Sequence, residues 1–376
     1  MKRFFGSLLF VTGYWLLATS CTQTAPFYRF NTAEPIMSQP PYLQVLLTAY
    51  KEVERAEITL HGAYEVRPYF SRRSDYFTSE QVLTRGTSLN KTVFQNTGGE
   101  LKIGDEIIKS DDIVLVPITS GIVATANPSV KQGLIEIGGR PYRGRLRIKE
   151  IANNKISLMN IVDLETYLYG VVSSEMNSAF PPAALSAQAV AARSFALSRI
   201  KRSSSRLGGA DVTDDIFTQV YRGEERTTQK IYETVDHTRG VILIYNGRLF
   251  DSIFHDTCGG QTEPVNLIWD GPFMEPLKGR ICGYCYGSKF NHWSVTIDEQ
   301  EIIKKLSLEN ASSIDDIRVI ESAPGGHART LGIKIPGKFE EMIISAQPFR
   351  IALGPNKLFS TYFKITQESF SKVSDI

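Results

Sequence analysis

The sequence predicts an α+β fold, a β-rich N-terminal region wrapped onto a mixed α/β core with one central Ala-rich helix. Three observations predict it. Short runs of β-forming residues separated by Gly- and Asn-rich turns fill residues 42–162. Pro181-Pro182 then opens AALSAQAVAARSFALSRIK, an Ala-rich stretch with no internal Gly or Pro. Beyond it, β-forming runs resume around one further helical segment.

The elements follow in chain order. Lys2 and Arg3 precede an apolar run, Phe4 to Leu17, too short to span a bilayer comfortably. Small residues and Cys21 come next, so residues 1–20 read as a secretory signal peptide. Cys21 is either a lipidated cysteine after a lipobox-like motif or a bystander near an ordinary cleavage site. Residues 21–41, rich in Thr, Pro, Ser and Gln, read as a tether. In 42–162, YLQVLLTAY, AEITLHGAYEV, LKIGDEIIK, IVLVPIT, LIEIGG, YRGRLRIKEI and KISLMNIV read as strands. In 163–298, LETYLYGVV has helical spacing, the Ala-rich helix follows, and GVILIYN and RLFDSIFHD return to strand. In 299–366, EQEIIKKLSL reads as a helix, and IRVIES, TLGIKI, EMIISA and STYFKI as strands. Residues 367–376 read as a loose tail.

Composition narrows the function. The chain of 376 residues is 42% hydrophobic and 22% charged, a globular balance. Its formal net charge is +2, and without the first twenty residues the charges cancel. Nucleic acid is therefore disfavoured as a partner, since binding a polyanion needs a surplus of Lys and Arg.

A run of motifs carries a resemblance. YRGRLRI, NIVDLETYLYGVVSSEMNSAFPPAALSAQAVAARSFAL, the QVYRG box, TRGVILIYNGRLF, CGGQTE, the Trp of FNHW and FRIALGPNKLFSTYFKI occur in that order. Over residues 42–365 the chain resembles the stage II sporulation protein D family, which includes amidase enhancers. The resemblance implies a lytic transglycosylase acting on peptidoglycan glycan strands stripped of stem peptides, in the cell envelope. It also implies that Glu175 is the catalytic acid. The related alternative is a glycan-binding activator of a cell-wall amidase, and a septal or engulfment scaffold is a third.

The chemistry asks for little else. Breaking a glycosidic bond needs a proton on the leaving oxygen, and a carboxylic acid of raised pKa is the usual donor. If the muramic acid 6-hydroxyl attacks its own anomeric carbon, one carboxyl serves as acid and then as base. No cofactor is then needed for catalysis. Uncharged residues surround Glu175 (Val172, Ser173, Ser174, Met176), which fits that role. The alternative is an exposed helix-start Glu favoured by the helix dipole.

Several residues are candidates for holding glycan. Gln188 and Arg193 share the Ala-rich helix but lie about 140° apart, so one wall cannot hold both fully. Arg193 binds a carboxylate of the substrate or braces Glu175 or Asp163. Gln219 and Tyr221 would alternate onto one strand face, either sugar-binding or core. Gly259 and Gly260 permit a tight turn or a close sugar, and Thr262 and Glu263 follow, Glu263 being a reserve acid. Arg350, Ser360 and Thr361 are weaker candidates. Trp269 and Trp293 read as core, and His61, His237, His292 and His327 as structural or exposed.

A metal site is argued separately. His255 and Cys258 stand as His-x2-Cys, and Cys282 and Cys285 as Cys-x2-Cys. These are ligand types and spacings of a structural zinc site. A disulfide between Cys282 and Cys285, or between Cys258 and Cys282, is the alternative. Some relatives carry metal-binding Cys and His just before the QVY box. Residues 212–218 have neither, so that site is not implied here.

Overall fold

The computed structural model describes residues 27–29, 41–69, 81–118, 133–202, 207–269, 271–308 and 311–366. The expected signal peptide, Cys21 and the tail 367–376 lie outside them. Among the described residues no helix is long and apolar enough to cross a membrane. The fold is α+β, as expected. It divides into two compact units, residues 1–253 and 254–376.

The first unit is built on two sheets. One has seven strands, in the order Val212–Thr213, Tyr42–Leu46, Lys155–Asp163, Arg145–Ile151, Asp112–Pro117, Tyr64–Pro68 and Thr84–Gly86. The other has six, in the order Arg140–Tyr142, Ile135–Ile137, Arg55–Leu60, Leu89–Thr97, Glu100–Ile103 and Glu106–Ile108. Residues of both sheets and of three helices form one continuous apolar core. In the central strand every residue from Ile156 to Val162 is buried. Unbroken burial of that kind, with only Ser157 and Asn160 polar, marks a strand covered on both faces. Within the expected tether, Phe27–Arg29 pairs antiparallel with Val241–Tyr245, so that short piece joins a sheet.

The central strand runs directly into helix α1 (Leu164–Glu175). Asp163 caps it by accepting a hydrogen bond from the Thr166 N–H at 3.1 Å. Helix α2 (Pro182–Arg202) is the expected Ala-rich helix. Its Ala189, Ala192 and Ala196 are fully buried, and such small side chains let neighbouring elements approach closely. Helix α3 (Gln229–His237) is capped by Thr228 and was not legible as a helix from the motifs.

Arg193 ties these helices together. Its guanidinium is fully buried and donates two bonds to Glu165, Nε to Oε1 at 2.9 Å and Nη2 to Oε2 at 2.8 Å. Nη1 donates to the Val241 carbonyl at 3.0 Å. Glu165 also accepts from the Gly240 N–H at 3.2 Å. Every charge in this pair is therefore met, the condition under which a buried ion pair is tolerated.

The second unit is smaller. Asp316–Ser322, Ala328–Lys334 and Met342–Ser345 form an antiparallel sheet. Asp298 caps the helix Glu299–Lys305, and a helix over Ala346–Leu353 packs on the sheet. Leu331, Ile333, Phe349 and Leu353 form its core, with Trp293 against it and Trp269 exposed. STYFKI does not form the expected strand. The Thr361 carbonyl accepts from the Ala328 N–H at 2.8 Å, its one backbone bond to the sheet, and from the Phe363 N–H at 3.2 Å. RLFDSIFHD is likewise strand only at Arg248–Leu249.

Replacing Arg193 by Met strands the Glu165 carboxylate in the core. Urea unfolding of the full chain is expected to show a loss of about 3–5 kcal/mol, most of it regained when Glu165→Leu is added.

Candidate active site

Glu175 is the last residue of α1, not a residue at a helix start. The difference reverses an electrostatic sign. A helix N-terminus favours a carboxylate, whereas the C-terminal end, where carbonyl oxygens collect, disfavours one. The Ser173 and Ser174 hydroxyls both donate to the Gly170 carbonyl, at 3.1 and 2.6 Å, which occupies these neighbours within their own helix.

The carboxyl is half-buried, and this burial raises its pKa. One backbone bond opposes the shift. The Val220 N–H donates to Oε1 at 2.7 Å and favours the charged form. Among the described residues no cation pairs with Glu175. The result is a carboxyl held by one donor, biased toward keeping its proton.

Val220 belongs to the QVYRG box, which is irregular here and joins no sheet. Gln219 and Tyr221 flank it and are both buried, which corrects their reading as one face of a strand open to sugar. Gln219 donates through Nε2 to the Ala192 carbonyl at 3.4 Å and accepts from the Tyr167 hydroxyl at 3.2 Å. Tyr221 donates to Asn160 Oδ1 at 2.8 Å and packs between Tyr167 and Tyr142, with ring centroids 4.9 and 5.9 Å away. Burial, with the Glu175 and Asp214 charges after it, lifts the Tyr167 hydroxyl well above its ordinary pKa. These side chains are the anchors that aim the Val220 N–H at Glu175.

Two glycines that motif reading passed over make the seating possible. A Cβ on Gly170 of α1 would lie 2.5 Å from the Gly223 carbonyl oxygen and 2.5 Å from the Tyr221 ring. Gly223 has φ +58°, and a Cβ there would lie 2.2 Å from the Pro141 carbonyl oxygen. The box is thus clamped between α1 and the strand Arg140–Tyr142. Asp214 was missed as well. Its Oδ1 accepts from the Thr48 N–H at 2.9 Å and the Thr48 hydroxyl at 2.6 Å.

Of the residues expected on α2, Gln188 keeps a binding character. Its buried Nε2 has no hydrogen-bond partner in the protein. It sits one turn before Ala192, where the box docks. Arg193 does not serve as a glycan contact. It is fully buried on Glu165, so it is a brace, but for Glu165 rather than for Glu175 or Asp163.

The other expected residues lie in the second unit. Gly259 and Gly260 have φ of +71° and +113°, and a Cβ on Gly259 would lie 3.2 Å from the Tyr362 ring. Thr262 is a loop staple, accepting from the Arg280 N–H at 2.8 Å. Glu263 is nearly enclosed and meets His327 Nδ1 at 3.1 Å, so His327 has a specific partner. Arg350 spends its guanidinium on the carbonyls of Leu358 and Phe359, at 2.8 and 2.9 Å, and Ser360 Oγ accepts from the Tyr362 N–H at 2.9 Å. Both are therefore bound up in their own loop rather than free for a ligand.

The cysteines do converge. The sulfur atoms of Cys258, Cys282 and Cys285 all lie within 4.8 Å of one another, with Cys258 and Cys285 at 3.3 Å. All three thiols are free. His255 is not part of the group. Burial, with the field of His327 after it, pushes the pKa of its ring down. Of the four residues expected to hold zinc, three thus converge and His255 lies outside their group.

Comparison with known proteins agrees with the first unit. Residues 152–245 match the family model of stage II sporulation proteins, SpoIID. That segment holds Glu175, Gln188, Arg193 and the QVYRG box. The segment is similar to SpoIID proteins. Stage II sporulation protein D of Bacillus subtilis is 35% identical over 133 residues, 31% of this chain and 38% of that protein. The amidase enhancer of Bacillus subtilis is 30% identical over 152 residues, 39% of this chain and 19% of that protein. An uncharacterised protein of Brachyspira hyodysenteriae is 27% identical over 274 residues, 70% of this chain and 72% of that protein. The chain thus spans well under half of the named SpoIID relatives. The cysteine cluster lies outside the SpoIID match.

Two outcomes follow from the geometry. The folded state holds the Glu175 proton to higher pH than the unfolded chain, so this group's contribution falls as pH rises through its folded pKa. Glu175→Gln is expected to unfold at higher urea than wild type at pH 7, with the gap closing below about pH 4, under the ordinary Glu value. Gly170→Ala is expected to cost about 1–3 kcal/mol by overpacking. By withdrawing the Val220 N–H it also raises the Glu175 pKa, read by carboxyl NMR titration.

Proposed function

We propose that the chain cleaves peptidoglycan glycan strands as a lytic transglycosylase, with Glu175 as the single acid and base. The observation that carries this reading is a half-buried carboxyl at a helix C-terminus, without a cation partner and with a raised pKa. A carboxyl whose pKa is raised keeps its proton to higher pH than an ordinary one and so has it to give.

The reaction balances with one carboxyl. Glu175 gives its proton to the oxygen bridging N-acetylmuramic acid and N-acetylglucosamine as that bond breaks. Positive charge develops at the muramic acid anomeric carbon. The sugar's own 6-hydroxyl attacks there, and the Glu175 carboxylate takes the hydroxyl proton. The product is a 1,6-anhydro sugar, no water is consumed, and the acid is restored. The Val220 N–H steadies the carboxylate between the two transfers, and the unpartnered Gln188 amide suits a sugar hydroxyl or acetamide.

The similarity to an amidase enhancer favours a second reading, a glycan-binding activator of a cell-wall amidase. Either reading places the chain at the cell envelope, with lipid on Cys21 as its tether to the membrane. Digestion of purified denuded glycan strands separates the two. Anhydro-muramic acid ends seen by mass spectrometry are the expected product, and their rate of formation should drop about 100- to 10,000-fold in Glu175→Gln. Binding without cleavage by the wild type would establish the activator reading instead.

A further inference from the structure

The three-cysteine cluster of the second unit has no part in the proposed reaction, and its geometry is specific. Cys258 opens a turn in which Gly259 and Gly260 take positive φ. Cys282 and Cys285 come from a second loop laid against it. The Cys282 N–H donates to the Gly260 carbonyl at 2.8 Å, and the Thr262 N–H to the Arg280 carbonyl at 2.8 Å. Gln261 and Ile281 form an antiparallel bridge between the loops.

Spacing distinguishes the uses of this cluster. A zinc–sulfur bond of about 2.3 Å in a tetrahedron sets sulfurs roughly 3.8 Å apart. A disulfide needs roughly 2.05 Å, joins only two sulfurs and strands the third. Three free sulfurs within 4.8 Å of one another, the nearest pair at 3.3 Å, match the first arrangement.

The surrounding loop also needs a fastener. Ile281, Tyr284 and Tyr286 are 88%, 94% and 87% exposed, so its large apolar side chains point away from any core. A segment that buries so little is commonly held by a crosslink or a metal.

We propose that Cys258, Cys282 and Cys285 bind one zinc ion through three thiolates, with a solvent molecule rather than His255 in the fourth position. The ion fastens the loop 279–288 to the turn 257–262. The proposal stands apart from the glycan-cleaving reading, because no residue of the SpoIID match takes part.

The test uses the full chain carrying Cys21→Ser, purified without chelator. Elemental analysis is expected to find one zinc per chain. Cobalt(II) exchanged into the site should give sulfur-to-metal charge-transfer absorption of three-thiolate intensity. Cys258→Ser, Cys282→Ser and Cys285→Ser should each weaken zinc binding more than the roughly 10–100-fold that loss of an outer-shell partner costs. His255→Ala should leave zinc affinity unchanged. Metal-free protein with only one titratable thiol under denaturing, non-reducing conditions would overturn the proposal in favour of a disulfide. Equal loss of zinc in His255→Ala would overturn the three-ligand assignment. The zinc content and cobalt spectrum of the Cys21→Ser chain decide the matter even where a cysteine variant fails to fold.

Discussion

The contact on which the first unit depends is the pairing of Arg193 with Glu165 inside the helical layer. A guanidinium with no exposed surface meets a carboxylate in the first turn of α1, and a strand carbonyl takes a further N–H. This fixes α1 against α2 and against the strand from Val241. Ten residues further along the same helix stands Glu175, about 15 Å away along the axis. The two carboxyls meet opposite conditions. Glu165 lies at the end of the helix that favours negative charge and has a bidentate partner. Glu175 lies at the end that disfavours it and has one backbone N–H. A single helix thereby separates a structural acid from the proposed catalytic one.

The placement of Glu175 relies on absent side chains as much as on present ones. Gly170 and Gly223 leave room for the QVYRG box to lie on α1, and the buried Gln219 and Tyr221 secure it from below. The box contributes to the site through backbone. Its most recognisable side chains face inward, which is why a motif of this kind reads as a binding face when only residue types are considered.

Much of this was legible beforehand. The change from β-rich to helical character near residue 163 and the Pro-started α2 rest on local signals that the fold retains, whereas Glu175 was singled out by the family resemblance. What was not legible depends on distant packing. Gln219 and Tyr221 are amide and aromatic groups that suit sugar and core equally, and only burial separates the uses. Arg193 finds Glu165 across 28 positions, a distance no spacing rule covers. α3 begins in a polar segment whose apolar face is narrow. His255 has the right spacing for a ligand but is not in the group that the three sulfurs form. STYFKI has strand composition but meets the sheet through a single backbone bond.

The seven-stranded sheet also sets an order of assembly. Its strand Tyr42–Leu46 pairs with Lys155–Asp163 on one edge and, in parallel, with Val212–Thr213 on the other. The early strand therefore lacks both neighbours until more than a hundred residues have followed it. Closing loops of that length makes for slow, non-local folding. The Val220 N–H that Glu175 accepts lies just beyond Val212–Thr213, so a chain that ends before residue 220 leaves this carboxyl without its donor. The state of Glu175 is thus coupled to completion of the chain around the sheet.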